Sequence, residues 1–417
     1  MTENISYSSK LSTSLSFLDL IFISIFFLVI NTFLKLLGRL YNELRFILKD
    51  DLCKEFTSHD DRPSDGPYPN GWMPVAESNQ FCGGKVLKTH ALGQNIVLVR
   101  DSRGKVHAVE SNCPNSGDHL GHGEIIQVRG EDSIRCPFHE WSFRLRDGAC
   151  VDASNAKDWK ALEGRSIKVW PCIEVNGFIC VWHQSKGNDP DWYPDELRSN
   201  QKDYSGKIEY ILSTSSGNNN NIMIGGNIID LSDLSRVPDK PLSFGRKIAQ
   251  YFGFKGDVLE LTFELLSCTT SKKPDNHKRI LEYRGSLKIL SFQIATGYLH
   301  SHRCGPSLST IQFDIKIFGL HFTQEMTLGL TFIDKSRQKF VFQMYTDRGI
   351  SSRIMCRLIR IFFYYAIGED CSILQDMVCF QKLGNSKKDK SLIELHRWSK
   401  QFYDAAGGCH LRDVNDW

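Results

Sequence analysis

Along the chain the apolar positions change their spacing three times, and each spacing predicts a different kind of element. From Leu15 to Leu34 the run LSFLDLIFISIFFLVINTFL is apolar almost without interruption, Asp19 and Asn31 standing near its two ends. That length suits one helix across a bilayer. A cleaved signal peptide is the competing reading, but the run is long, no small-residue cleavage site follows, and Lys35, Arg39, Arg45 and Lys49 come next against a lone Lys10 before it. The basic flank places everything after residue 35 on the cytosolic side. The expectation is a single-pass membrane anchor with its flank at 1–50; a buried amphipathic helix is the plainer alternative.

The pattern then turns polar. The stretch TSHDDRPSDGPYPNG is rich in turn formers and predicts a linker, assigned to 51–71. Beyond it, short β-branched and aromatic runs alternate with Gly, Asn and Asp: Val86 to Thr89, Ile96 to Arg100, Val106 to Glu110, Ser133 to Cys136, Ser166 to Trp170 and Phe178 to Trp182. Strands at this spacing predict a small antiparallel β domain over 72–195, closed by Trp192 and Pro194.

In a second region, 207–404, longer runs alternate apolar with polar side chains: Val258 to Leu266, Ile280 to Tyr283, Leu287 to Ala295, Thr310 to Ile317, Met326 to Phe332 and Phe340 to Tyr345. Ile354 to Ile367 is continuously apolar and aromatic apart from Arg357 and Arg360, and suits either a core helix or a pocket mouth resting on a membrane. Ser391 to Tyr403 reads as an amphipathic helix, and 405–417 is a tail. The fold class predicted is α+β, an antiparallel sheet folded around one or two helices.

Composition changes this picture little. A formal charge of +3 over 417 residues gives no reason to expect nucleic acid as a partner. Thirteen cysteines, an odd number and widely scattered, point to a reducing compartment with some thiols as metal ligands.

Chemistry concentrates between Cys113 and Trp141, CPNSGDHLGHGEIIQVRGEDSIRCPFHEW. In a Rieske centre two histidines replace two cysteines on one iron of a [2Fe–2S] cluster, so each arm offers one thiolate and one imidazole. Cys136 and His139 supply the second arm. The first supplies Cys113 and, at the place of its imidazole, Asn115.

Together with these arms, PYPNGWMPVAES (Pro67 to Ser78), EVNGFICVWH (Glu174 to His183) and LIELHRWSKQFY (Leu392 to Tyr403) resemble the Rieske-type sterol desaturases of the Neverland family, over roughly residues 66–404. The resemblance implies a Rieske domain followed by a helix-grip (START-like) catalytic domain with a mononuclear non-haem iron. It implies 7,8-desaturation of cholesterol to 7-dehydrocholesterol in steroid hormone biosynthesis, with electrons from NAD(P)H through a reductase. It further implies a homotrimer; with the N-terminal run, the expected place is the endoplasmic reticulum membrane, the globular part in the cytosol.

Carried over residue by residue, the resemblance places Cys113, Cys136 and His139 on the cluster, Asp376 on the iron as its carboxylate, and Asp230 on the electron relay between subunits. It also exposes three departures. Asn115 takes the place of a cluster histidine, and Asp233 and Pro238 take the places of both iron histidines. His119 and His122 stand nearby, but Gly117, Leu120 and Gly123 match the family spacing and leave no gap that would bring either into the ligand place. His300, His302 and His321 fall on strand-like runs and read as core or surface residues. The expectation is a family relative without catalysis, no residue being assigned a catalytic role. An active desaturase with other ligands and a sterol-binding module are the alternatives.

Overall fold

Alternation of apolar and polar side chains builds most of this molecule. The computed structural model describes residues 49–56, 68–81, 86–153, 165–196, 201–213, 259–289, 292–375, 394–395 and 397–403. The strands and the long helix all belong to one unit, residues 50–417. The run Leu15 to Leu34, and with it Asp230, Asp233, Pro238 and Asp376, lies outside the described residues.

After β1 (Asp51–Phe56) the chain makes a series of short strands: β2 (Gly71–Glu77), β3 (Val86–Ala91), β4 (Gln94–Arg100), β5 (Val106–Glu110), β6 (Glu124–Val128), β7 (Glu131–Arg135), β8 (Ser142–Arg144), β9 (Cys150–Asp152), β10 (Val169–Trp170), β11 (Cys172–Val175) and β12 (Phe178–His183). They pair antiparallel in three sheets, ordered β10-β5-β4-β3, β11-β12-β2 and β6-β7-β8-β9.

Strand β4 divides two cores, because a strand sends successive side chains to opposite faces. Ile96 and Leu98 join a core with Met73, Val75 and Trp170. Val97 and Val99 join another with Cys113, Leu120, Ile134, Cys136, Trp141 and Phe143. Strand β2 is buried along its whole length. It is held on one side by the β12 ladder and on the other by Ser307, whose hydroxyl donates to the Trp72 carbonyl at 2.5 Å.

The later strands are β13 (Asp203–Ser213), β14 (Leu259–Thr270), β15 (Lys278–Ile289), β16 (Phe292–Cys304), β17 (Leu308–Ile317), β18 (Leu320–Phe332) and β19 (Arg337–Thr346), followed by helix α1 (Ile350–Gln375). With β1 they form one sheet in the order β1-β13-β19-β18-β17-β16-β15-β14. Cys356, Ile359, Phe363, Ile367 and Cys371 recur every three or four residues along α1 and are buried, as is Arg360. This stripe covers Tyr210, Phe313, Met326, Phe342 and Met344 of the sheet.

Three details differ from the sequence reading. The linker assigned to 51–71 opens with a strand, β1, paired in parallel with β13 through Asp51↔Lys207 to Phe56↔Leu212. Among its described side chains only Leu52 is deeply buried, so no alternation of buried and exposed positions marks it as a strand. The run Leu287 to Ala295 spans the end of β15 and the start of β16, because alternation continues through the hairpin. The described residues are also mostly strand, with one long helix. No helix among them is long and apolar enough to cross a membrane; α1 has the length but carries Arg353, Arg357 and Arg360.

Gly206 is where three elements meet. It sits at a register shift between β13 and β19 with φ +116°. A Cβ there would lie 2.0 Å from the Asp50 carbonyl oxygen and 1.9 Å from Arg360 Nη1. Its missing side chain lets the start of β1 and the buried arginine of α1 both close on β13.

Candidate functional site

The two cysteine arms are loops of the same construction. In the first, the Cys113 amide donates to the Asp118 carbonyl and the Gly117 amide donates to the Cys113 carbonyl, both at 2.8 Å. In the second, the Cys136 amide donates to the Trp141 carbonyl at 2.8 Å and the Glu140 amide donates to the Cys136 carbonyl at 3.2 Å. The turn needs a left-handed residue at its fifth place. Gly117 meets this at φ +77° and Glu140 does so at +60°, a conformation uncommon outside glycine.

Both cysteines point down into the core of Leu120, Ile134, Trp141 and Phe143, at 1% and 0% exposure, and both are free thiols. Burial raises the Cys113 pKa; the Asn115 and Ser116 amides, which donate to its sulfur, pull the other way, and the facing Cys136 adds to the rise. The sulfurs are thus buried side by side in a cradle of amide donors. At the rim, His139 is half exposed, its Nδ1 3.9 Å from Asp118 Oδ2, and Ser116 donates to the same carboxylate. Asn115 is exposed.

Neither nearby histidine is free to replace it. His122 Nε2 faces Lys88 Nζ at 2.6 Å. An ammonium can only donate, so the imidazole lone pair is engaged. His119 Nδ1 accepts from the Gly121 amide at 3.0 Å, which leaves the proton on Nε2. Burial first, then the neighbouring Lys88 ammonium, lower the His119 pKa. Asp118 and Lys88 escaped the sequence reading; only Asp118, five residues beyond Cys113, carried a signal, since Trp141 holds the equivalent place after Cys136.

The donor set can be compared with the group it would hold. Two buried facing thiols suit one iron of a [2Fe–2S] cluster, and the other iron requires two imidazoles. The arms bring His139 and a carboxamide, so the residues present do not fit a complete Rieske cluster. Among the described residues no group of three or more His, Cys, Asp or Glu side chains is disposed to hold a metal ion.

Among the described residues the histidines of the large sheet do not converge on a second centre. His300 Nδ1 lies 3.5 Å from Glu282 Oε1, and His321 Nε2 lies 2.5 Å from Asp314 Oδ1. His302 is partly buried, and burial lowers its pKa. The side chains of Asp230, Asp233, Pro238 and Asp376 lie outside the described residues.

Comparison with known proteins agrees with this geometry. The family model for the Rieske [2Fe-2S] domain matches residues 71–171. Over 341 residues, 81% of this chain and 70% of the other protein, the chain is 28% identical to "Cholesterol 7-desaturase nvd" of Bombyx mori. This chain is a Neverland-like relative of the Rieske oxygenases. To the protein of the same description from Hemicentrotus pulcherrimus it is 33% identical over 144 residues, and that match spans only 29% of the other protein. Among solved structures, dicamba monooxygenase bound to dicamba superposes with a TM-score of 0.55 at 16% identity, covering 81% of this chain and 98% of that one. At that identity the likeness speaks for the fold alone. Asn115 and both cysteine arms lie within the matched residues.

Proposed function

We propose that this Neverland-like chain keeps the architecture of a cholesterol 7-desaturase without its 7,8-desaturation of cholesterol to 7-dehydrocholesterol. The observation that carries the reading is the first arm. Its loop matches the second bond for bond, yet Asn115 occupies the imidazole place while His119 and His122 are both engaged elsewhere. A carboxamide is a weak donor to iron beside an imidazole tuned by its own hydrogen bond. The sequence adds a second block, since Asp233 and Pro238 stand where the family has iron histidines. Proline has no donor atom, and Asp233 with Asp376 would favour hard ions over ferrous iron.

The long helix across one face of an antiparallel sheet supports reading 207–404 as a helix-grip domain with a cholesterol-like sterol as its ligand. The run Leu15 to Leu34 supports a single-pass anchor, with the endoplasmic reticulum as the compartment and the folded part in the cytosol. A reductase supplying electrons from NAD(P)H, and a homotrimer relaying them through Asp230, belong to the active family members and would serve this chain only if it turned over.

The deciding experiment uses full-length protein purified anaerobically and reconstituted with iron and sulfide. The expected result is no Rieske-type electron paramagnetic resonance signal and no 7-dehydrocholesterol from cholesterol, dioxygen and a reductase. Product above the mock background overturns the proposal. A cholesterol titration of the same sample checks the ligand, and saturable binding is expected.

A further inference from the structure

We propose that one end of the large sheet is a bilayer-docking edge, with apolar hairpin tips and the first turns of α1 seated at the headgroup–acyl boundary. Five of the eleven large apolar side chains exposed among the described residues, including the three most exposed, stand at this end. Phe318 is 81% exposed, Leu320 62%, Phe292 77%, Ile350 80% and Ile354 53%. The ladder registers bring them together. Ile317↔Leu320 closes the β17–β18 hairpin and Ile289↔Phe292 closes β15–β16, both at the end where β19 stops opposite Gln324 and α1 starts. From β19 to β16 is three strand spacings, roughly 15 Å.

The opposite end of the sheet differs in character. Its β18–β19 turn is Asp334-Lys335-Ser336 and its β14–β15 connection is Ser271 to His277, both polar. Apolar tips at one end only are not a general property of these hairpins.

Phe318 sharpens the point. It occupies the first place of a two-residue turn at φ +47°, with Gly319 next at +83°. Asn, Asp and Gly suit that conformation, and a Phe there is strained. It is also turned into solvent, so neither the turn nor the core accounts for it.

The way the chain arrives identifies the occupant. Asp51 pairs with Lys207 and Lys207 with Gln343, so β1 begins at this same end. Arg357 of α1 reaches Asp50 at 3.4 Å. The described chain therefore enters the sheet at this end through Asp50 and Asp51, and the run expected to span a membrane precedes them in sequence. Arg348 and Arg353, at 84% and 58% side-chain exposure, flank the patch and suit the headgroup layer. The acids nearby are engaged: Asp203 by those two arginines, Asp347 by Lys202, and Asp314 by His321.

The inference deepens the membrane reading of Leu15 to Leu34, and its test separates the two. Full-length chain carrying a photoreactive benzophenone amino acid at position 318, or at 335 as the contrast, is reconstituted in phosphatidylcholine–phosphatidylserine vesicles and irradiated. Position 318 should label lipid about tenfold more than 335. Phe318→Asn, which suits the turn better and so leaves the fold intact, should lower labelling from a probe at Leu320 about threefold. Equal labelling at 318 and 335, or crosslinking of 318 to a second copy of the chain, overturns the edge. Extraction by alkaline carbonate reports the anchor separately. A chain that is released yet labels lipid from 318 keeps the edge and loses the anchor.

Discussion

Replacing Lys207 by Met tests the seam between the small strands and the large sheet. Lys207 Nζ lies 2.7 Å from Glu77 Oε1 on β2 and 3.1 Å from Glu209 Oε2 on its own strand, with side-chain exposures of 17%, 2% and 15%. Burial acts to lower the Lys207 pKa, but the two carboxylates outweigh it and the net shift is upward. Without the ammonium, Glu77 keeps Gln80 Nε2 at 3.3 Å as its side-chain donor, and its other oxygen, Oε2, has no partner among the described residues. Removing one member of a buried pair costs about 3–5 kcal/mol; the partial exposure of Lys207 reduces this to about 2–4 kcal/mol. Glu77→Gln should cost only about 1 kcal/mol, because Lys207 retains Glu209. The double variant should fall about 1–2 kcal/mol short of the sum. Urea unfolding of the full chain in non-ionic detergent, followed by tryptophan fluorescence, reads these differences without adding salt. Because the folded pKa is raised, the contribution is complete below the ordinary lysine value of 10.5 and is lost as pH climbs through the folded one. A Lys207→Met change below about 0.5 kcal/mol would refute the reasoning.

Other consequences are equally open to measurement. Asn115→His should let reconstituted protein show a Rieske-type resonance signal that the parent lacks, while 7-dehydrocholesterol stays at background; identical spectra for parent and variant would remove Asn115 from its assigned role. Gly206→Ala forces a Cβ to within 2.0 Å of the Asp50 carbonyl oxygen, so a loss of about 3 kcal/mol or more is expected in urea, and a loss under about 1 kcal/mol would contradict the packing. Burial depresses the pKa of His183, His277 and His302 below 6.5. Stability is then whole above that value and declines as pH falls through the lower folded values, since the unfolded chain binds the protons more readily. Thermal midpoints should drop between about pH 7 and pH 5, less so in His183→Gln, and a flat profile would exclude the effect.

Strand existence was legible because alternation is a local property. Val106 to Glu110 appears in the structure with the bounds its pattern predicts, and the other short runs differ mainly at their ends. Partner choice is not local. Nothing in DLCKEF marks it as an edge strand of a sheet whose other members begin some 150 residues later; that pairing is made by backbone groups, which every residue carries. In the same way, Leu287 to Ala295 alternates smoothly across a turn that only the ladder reveals.

For the site, the residues alone determined which donors exist: two thiols, one imidazole and an amide at the fourth place. Those identities are covalent facts that no folding alters. Tertiary structure decided which donors are available. Lys88, on β3, is brought against His122 by strand pairing and packing, and the Gly121 amide holds His119 within its own turn. It also gathered Phe292, Phe318 and Ile350, distant in sequence, onto one edge of the sheet. Which side chains share an end depends on how many strands intervene and in which direction each runs, and that is a property of the assembled sheet.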